Sequence, residues 1–396
     1  MFEILPRVPP DPILGVSAAF QKDDSPLKVD LGVGVYKDET GKTPVPRAVK
    51  RAESDMLAAQ TTKTYLSPIG NPGFNAEVAA LTLGSDLAGR KSDLALAQTP
   101  GGSGALRLGA ALLQMVQPGA TVYVSDPTWA NHVPLLSSSG LRLEPYPYYD
   151  AQRNRVDIDR MLGFLSALAP HSIVLLHACC HNPSGADLTP AQWDQVTEVL
   201  ARQRLIPFLD MAYHGLGEDL DRDAASIRQI AQAVPEAVVA VSCSKNFGIY
   251  RERTGLLAVL SAGSEPTAIV AGHLSSRART LWSMPPDHGA AIVHRVLTTP
   301  ELRQDWMTEL ANMTRRIRSL RSLLAERLSQ ATQRDFGWIA EQRGMFSRLP
   351  LTAEQVIAVR EQHHIYMAPD GRINVAGVSP ANVDHVAASV AAVLHA

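Results

Sequence analysis

Four short apolar runs constrain the fold of this chain more than any other feature: Leu94 to Gln98, Ser172 to Leu176, Ile206 to Asp210 and Ala237 to Val241. Runs that stay apolar instead of alternating mark strands buried on both faces, as in a parallel sheet. Helical patterns fall between them, from Ala105 to Met115 and from Pro190 to Arg204. This alternation from Leu94 to Cys243 predicts repeated βα units and a mostly parallel sheet.

Open α/β sheets bind ligands outside the carboxyl ends of their strands, so the strings that follow the runs carry the functional reading. The first run leads into Thr99-Pro100-Gly101-Gly102-Ser103-Gly104 and then a helix. A glycine-rich turn opening a helix presents unpaired N–H groups and the positive end of a dipole, which suits phosphate. Ser172 to Leu176 leads into His177-Ala178-Cys179-Cys180-His181-Asn182-Pro183-Ser184-Gly185. Ile206 to Asp210 ends in a carboxylate, with Tyr213 just beyond. Such an aspartate can hold a pyridine ring protonated and therefore electron-accepting, while Asn182 and Tyr213 can donate to a phenolate oxygen. Ala237 to Val241 leads into Ser242-Cys243-Ser244-Lys245-Asn246-Phe247-Gly248, with Arg253 following. One amine, two hydroxyls and a guanidinium could tether and neutralise a phosphorylated aldehyde, and burial beside other cations would lower the lysine pKa into the nucleophilic range. The same residues also admit plainer readings. Lys245 could be a surface lysine after a strand, and Trp129 an ordinary core aromatic. The His177 to His181 cluster could suggest a metal, but it lacks the paired C-x-x-C spacing of structural zinc, and no metal is expected.

Further strings extend the pattern almost end to end: Asp11-Pro12-Ile13-Leu14, Leu31 to Tyr36, Asp126-Pro127-Thr128-Trp129, Pro285-Pro286-Asp287-His288-Gly289 and Gly371-Arg372-Ile373-Asn374-Val375-Ala376-Gly377. In this order and spacing the chain resembles the class I pyridoxal-phosphate aminotransferases of the aspartate and aromatic amino-acid aminotransferase family.

The resemblance implies the type I fold of pyridoxal-phosphate-dependent transferases, α/β, with a large domain whose mostly parallel sheet is flanked by helices and a smaller α+β domain. It implies that Lys245 bonds pyridoxal 5'-phosphate and later shuttles the proton at the substrate Cα. Asp210 would pair with the pyridinium nitrogen, Asn182 and Tyr213 would hold the phenolate oxygen, and Trp129 would stack on the ring. Gly102, Ser103, Ser242, Ser244 and Arg253 would bind the phosphate, joined by Tyr65 from a second subunit of a homodimer. Arg372 would grip the substrate α-carboxylate bidentately, with Gly34 close by. Arg279, also across the dimer, would meet a side-chain carboxylate, and His132 would stand behind Asp210. Arg277 is the alternative to Arg279.

The expected division is an amino-terminal segment 1–45 belonging to the small domain, a large cofactor-binding domain 46–300, and a small carboxyl-terminal domain 301–396. The last opens with an amphipathic interdomain helix 301–328, where Leu310, Met313, Ile317, Leu320 and Leu324 recur at helical spacing. A net charge of −2 with no basic block argues against nucleic acid or an anionic membrane as partner. Three cysteines make no disulfide framework, the first dozen residues lack an apolar signal core, and no apolar stretch reaches the ~18 residues that span a bilayer. A cytoplasmic enzyme is expected.

The expected reaction is ping-pong transamination between tyrosine, phenylalanine or aspartate and 2-oxoglutarate. Ser103 and Met284 lean toward aromatic substrates, because a thioether in place of an amide removes a hydrogen-bond donor and leaves a softer wall against a ring. Lys37 and Thr43 resemble the aspartate branch, so an enzyme for mainly dicarboxylic substrates is the alternative. Two carboxylate grips, Arg279 and Arg372, argue against a decarboxylase. A non-catalytic regulator would need a DNA-binding domain of ~60 residues or more, for which the family match leaves no room.

Overall fold

The computed structural model describes residues 2–6, 12–89 and 92–395, with the backbone alone for 12–14. Asp11 and the side chains of the Pro12-Ile13-Leu14 string lie outside the described residues. Contacts divide the chain into two units, one formed by Thr43–Asn182 and Ala186–Arg316, the other by Met1–Lys42, Pro183–Gly185 and Ile317–Ala396.

The larger unit is built on a seven-stranded sheet. Its strands are β1 (Leu94–Pro100), β2 (Thr121–Asp126), β3 (Arg142–Pro147), β4 (Ile173–His177), β5 (Ile206–Met211), β6 (Ala237–Ser242) and β7 (Thr254–Leu260), in the spatial order β1-β7-β6-β5-β4-β2-β3. The four apolar runs are thus β1, β4, β5 and β6. β6 and β7 are buried at every position, which is why neither shows alternation. β7 is antiparallel to both β1 and β6, with Gly255 opposite Ser242 and Thr254 opposite Pro100, while the remaining pairings are parallel. The carboxyl ends of β1 and β6 and the start of β7 therefore meet at one edge.

The flanking helices include α1 (Arg47–Ala59), α2 (Pro72–Leu83), α3 (Gly101–Val116), α4 (Pro190–Arg202), α5 (Leu220–Ala233), α6 (Ser264–Trp282) and α7 (Asp287–Thr298). Helix α3 lies close over the sheet because Gly109 has no side chain; a Cβ there would come within 2.9 Å of Phe208 and 3.1 Å of Val238. Thr189 and Gln192 form a reciprocal cap that starts α4. The core unites Leu106, Leu108 and Leu112 of α3 with Val122, Ile173, Leu175, Phe208, Val238 and Leu257 of the sheet. Each such residue removed from water contributes roughly 1.5–3 kcal/mol of transfer free energy.

Helix α8 (Pro300–Thr332) begins where a long helix is expected, and the contacts divide it at Arg316 and Ile317. In the smaller unit, Val29–Asp30 pairs in parallel with Ile365–Tyr366. There β8 (Phe346–Arg348) pairs antiparallel with β9 (Arg372–Asn374), setting Phe346 opposite Asn374 and Arg348 opposite Arg372. Leu320, Leu324 and Leu328 pack with Ile373, Val375 and with Val386 and Val390 of the last helix, Val383–His395. Among the described residues no helix is long and apolar enough to cross a membrane.

Candidate active site

Three glycines let the backbone close in where β1, β6 and β7 meet. Gly101 has φ +71°, and a Cβ on it would approach Arg253 Nη2 at 2.6 Å. At Gly102 a Cβ would lie 3.0 Å from that of Ser242, and at Gly255 one would lie 2.5 Å from the carbonyl carbon of Gly101. No side chain caps the first turn of α3, whose N–H groups and Ser103 stand at this edge. Arg253 Nη1 donates to Ser244 Oγ at 3.3 Å and to the Tyr250 carbonyl at 3.1 Å, while the Ser244 amide donates to Ser242 Oγ at 3.3 Å. Helix N–H groups, two hydroxyls and a guanidinium form a donor set matched to a phosphate dianion.

Lys245 follows Ser244 and is half-buried, its Nζ 4.9 Å from the centroid of the Tyr213 ring. Burial lowers its pKa to about 8; Asp210 opposes the shift and Arg253 adds to it. Asp210 Oδ2 accepts from His132 Nε2 at 3.1 Å. Burial by itself would raise the Asp210 pKa, yet the hydrogen bond from His132 and the nearby Lys245 keep it below the ordinary value. Asp210 thus keeps its negative charge beside the amine.

Behind this carboxylate runs a file of rings, with His132 and His181 fully buried and His177 half-buried. His132 Nδ1 lies 2.8 Å from Thr128 Oγ1, which is 3.3 Å from His177 Nε2. The His177 ring is 4.3 Å from that of His181, and the latter stacks on Tyr148 at 4.2 Å. Burial, reinforced by His132, lowers the His177 pKa to about 3, and burial with the neighbouring histidines pushes His181 well below the usual value. Both rings are neutral, so neither cancels the Asp210 charge. Trp129 packs on the core of this unit while its ring stands edge-on to His132 at 5.2 Å, so it is core aromatic and site neighbour together.

Asn182 Nδ2 donates to the Tyr213 hydroxyl at 3.5 Å, and both side chains are buried. Asp187 holds this loop: its two carboxylate oxygens accept from the Cys180 and His181 amides, at 2.7 Å each. Sequence reading passed over Asp187, Thr128 and Tyr148, since an acid two residues past a turn and a threonine in a family string look like loop and cap residues. The histidines and cysteines of the His177 to His181 string do not converge. The thiols of Cys179 and Cys180 lie with Asp223, their ligand atoms within 4.8 Å of one another, while His181 Nε2 meets Ser125 Oγ at 3.0 Å.

In the smaller unit, Arg372 is buried at 7% exposure, its Nη2 donating to the Gly32 carbonyl at 3.0 Å and its Cζ 4.4 Å from the centre of the Phe346 ring. The ring also abuts Gly34, where a Cβ would lie 2.9 Å from Phe346 Cζ. Asn374 ties the segment down by donating to the carbonyls of Val33 and Val35 at 2.6 and 2.7 Å.

The fold leaves three other expected residues at the surface of the larger unit. Tyr65 is 90% exposed, Arg279 projects from the last turn of α6, and Arg277 donates through Nε to Met115 Sδ at 2.9 Å. Met284 Sδ accepts from the Leu66 amide at 3.3 Å, which joins the segment after α6 to the Tyr65 loop.

The family model for aminotransferase class I and II matches residues 26–390. The chain is 46% identical over 382 residues to an aromatic-amino-acid aminotransferase of Paracoccus denitrificans, covering 96% of each. It is 41% identical to the aspartate aminotransferase of Escherichia coli, covering 100% of both chains. Among solved structures, an aromatic-amino-acid aminotransferase of Burkholderia pseudomallei, covalently bound to pyridoxal phosphate, superposes with a TM-score of 0.96 at 46% identity, over 100% of this chain and 99% of that one.

Proposed function

We propose, given that this chain belongs to the class I and II aminotransferases, that it uses pyridoxal 5'-phosphate to transfer the amino group of tyrosine, phenylalanine or aspartate to 2-oxoglutarate. Lys245 carries the reading: an amine with its pKa lowered to about 8, set between the ionised Asp210 and the cation Arg253. The residues present fit the cofactor. Gly101 and Gly102 leave room beside Arg253 and Ser242 that a Cβ would fill, and the Arg253 guanidinium and the hydroxyls of Ser242 and Ser244 can donate hydrogen bonds there.

When bound, the cofactor supplies an aldehyde that bonds amines and a ring that accepts electrons from the substrate Cα. Gly102, Ser103, Ser242, Ser244 and Arg253 hold the phosphate. Asp210, oriented by His132, keeps the ring nitrogen protonated. Asn182 and Tyr213 would donate to the phenolate oxygen, and Trp129 would stack on the ring. Lys245 would hold the cofactor through its aldehyde, and its amine would take up and return the proton at the substrate Cα. Arg372 binds the α-carboxylate, for which a planar guanidinium is suited and an ammonium is not, with Gly34 beside it. The same residues serve both half-reactions, hence ping-pong turnover.

The working unit is a homodimer in which Tyr65 and Arg279 serve the neighbouring copy's site; their exposure on this chain supports that assignment. Aromatic substrates are favoured, on the strength of Met284 and of relatives named for aromatic amino acids or tyrosine at 46% and 44% identity. Relatives named for aspartate at 41% identity support the alternative, an enzyme for mainly dicarboxylic substrates. The enzyme is assigned to the cytoplasm. A panel of tyrosine, phenylalanine and aspartate against 2-oxoglutarate tests the reading, and kcat/KM highest for aspartate would overturn the aromatic preference.

A further inference from the structure

Arg321, on α8, is among the largest fully buried side chains of the chain, at 1% exposure. Its guanidinium donates from Nε to the Gly344 carbonyl at 2.9 Å, and from Nη1 to the Ile339 carbonyl at 3.0 Å and Ser347 Oγ at 2.7 Å. From Nη2 it donates to the carbonyls of Arg343 at 3.0 Å and Gly344 at 2.8 Å, and in a short bond to that of Phe346. A planar cation with five N–H groups can gather carbonyl dipoles that would otherwise repel one another and lie buried without donors. A second constraint acts on the same turn. Gly185 accepts the Arg343 amide at 2.8 Å, and a Cβ at Gly185 would collide with the Phe346 carbonyl.

We infer that Arg321 is a positioning residue for the substrate α-carboxylate: by holding the carbonyls of Arg343, Gly344 and Phe346 it seats the Phe346 ring against Arg372 and Gly34. The inference rests on the proposed role of Arg372. Phe346 is the link, since its carbonyl is held by Arg321 while its ring lies 4.4 Å from the Arg372 guanidinium carbon and closes on Gly34. Pairing of β8 with β9 leaves this ring little freedom, because Phe346 stands opposite Asn374, which itself binds the backbone on both sides of Gly34. A bidentate grip demands a guanidinium fixed in angle as well as place, so loosening Phe346 weakens the grip without touching the ligand. Aromatic and acidic substrates present the same α-carboxylate and lose equally.

The test uses the full-length, cofactor-loaded enzyme with Arg321→Met, Ser347→Ala and, as control, Arg372→Leu. The probe is 3-phenylpropionate, a carboxylate without an amino group, titrated by its effect on the cofactor absorbance. Arg321→Met should weaken the probe by ~10-fold or more and raise KM for tyrosine and aspartate alike, with kcat within ~3-fold and cofactor absorbance retained. Its slow half-reaction with phenylethylamine, which has no carboxylate, should be unchanged. Ser347→Ala, which removes one acceptor and leaves the cation, should weaken the probe by ~3-fold, and it decides the matter if Arg321→Met fails to fold. Unchanged probe affinity in a folded Arg321→Met or in Ser347→Ala, with Arg372→Leu impaired, overturns this inference alone. Unchanged affinity in Arg372→Leu overturns the role of Arg372 and the inference with it.

Discussion

Nε2 of His132 lies 3.1 Å from Oδ2 of Asp210, and this contact joins the mouth of β5 to the file of Thr128, His177 and His181. His132 Nε2 faces the carboxylate while its Nδ1 meets the Thr128 hydroxyl, and Thr128 Oγ1 in turn lies 3.3 Å from His177 Nε2. The carboxylate is thus oriented by a network that adds no fixed charge from His177 or His181.

Asp210→Ala should bind the cofactor more weakly and slow Cα proton abstraction by several orders of magnitude, because the ring loses its protonated, electron-accepting state. His132→Ala keeps the carboxylate and should cost about 10-fold in kcat/KM, about 1.4 kcal/mol. Stopped-flow half-reactions measure both, and wild-type rates in Asp210→Ala would refute its role.

Lys245→Ala should lose the visible absorbance of the lysine–cofactor bond and nearly all turnover; a reducible lysine adduct in that variant would reassign the amine. Only the neutral amine attacks an aldehyde, and its pKa is lowered to about 8. Capture of pyridoxal phosphate by the cofactor-free protein should therefore quicken about tenfold per unit as pH rises from 6 toward 8, then level off. A rise that continues to pH 10 would mean an ordinary, exposed lysine.

Arg279 should matter far more for acidic than for neutral substrates. Arg279→Leu is expected to lower kcat/KM for aspartate at least ~100-fold, about 2.7 kcal/mol, and that for phenylalanine less than ~10-fold. Met284→Asn, which exchanges the sulfur beside the Leu66 amide for a carboxamide, should shift preference toward aspartate. Equal losses for both substrates in Arg279→Leu would make that residue structural and turn attention to Arg277.

Shared sites in a homodimer can be read by complementation. Lys245→Ala chains and Tyr65→Phe, Arg279→Ala chains are each impaired, but in a mixed dimer one site collects every lesion and the other is intact. Subunit exchange should restore activity on dicarboxylates. No recovery would leave Tyr65 and Arg279 without a role in the neighbour.

Much of the candidate site was legible because its groups sit on short strings at strand ends. Gly101-Gly102-Ser103, Asn182, Asp210 with Tyr213, and Ser242 to Lys245 are each local, and the apolar runs before them locate the strands. β7 lay beyond the stretch read as alternating strands and helices, and its antiparallel direction was not legible, since a strand buried on both faces reads the same either way. β3 was missed because, as an edge strand, it is largely exposed and lacks an apolar run.

The amino-acid sequence by itself determined the fold class and the family, and it singled out Lys245 as the candidate amine, because periodicity and local motifs encode strand ends and the groups they carry. Tertiary structure alone decided what stands behind those groups. His177, 49 residues from Thr128, and Arg321, 25 residues from Phe346, are brought to their partners by the fold, and Asp187 bends back onto the amides of Cys180 and His181. It also separated the cysteines of the His177 to His181 string from its histidines, since neighbouring side chains leaving a turn diverge into different surroundings. The physical reason is burial: a polar group removed from water must find its partner in three dimensions, and spacing along a chain does not say which distant donor or carbonyl will be there.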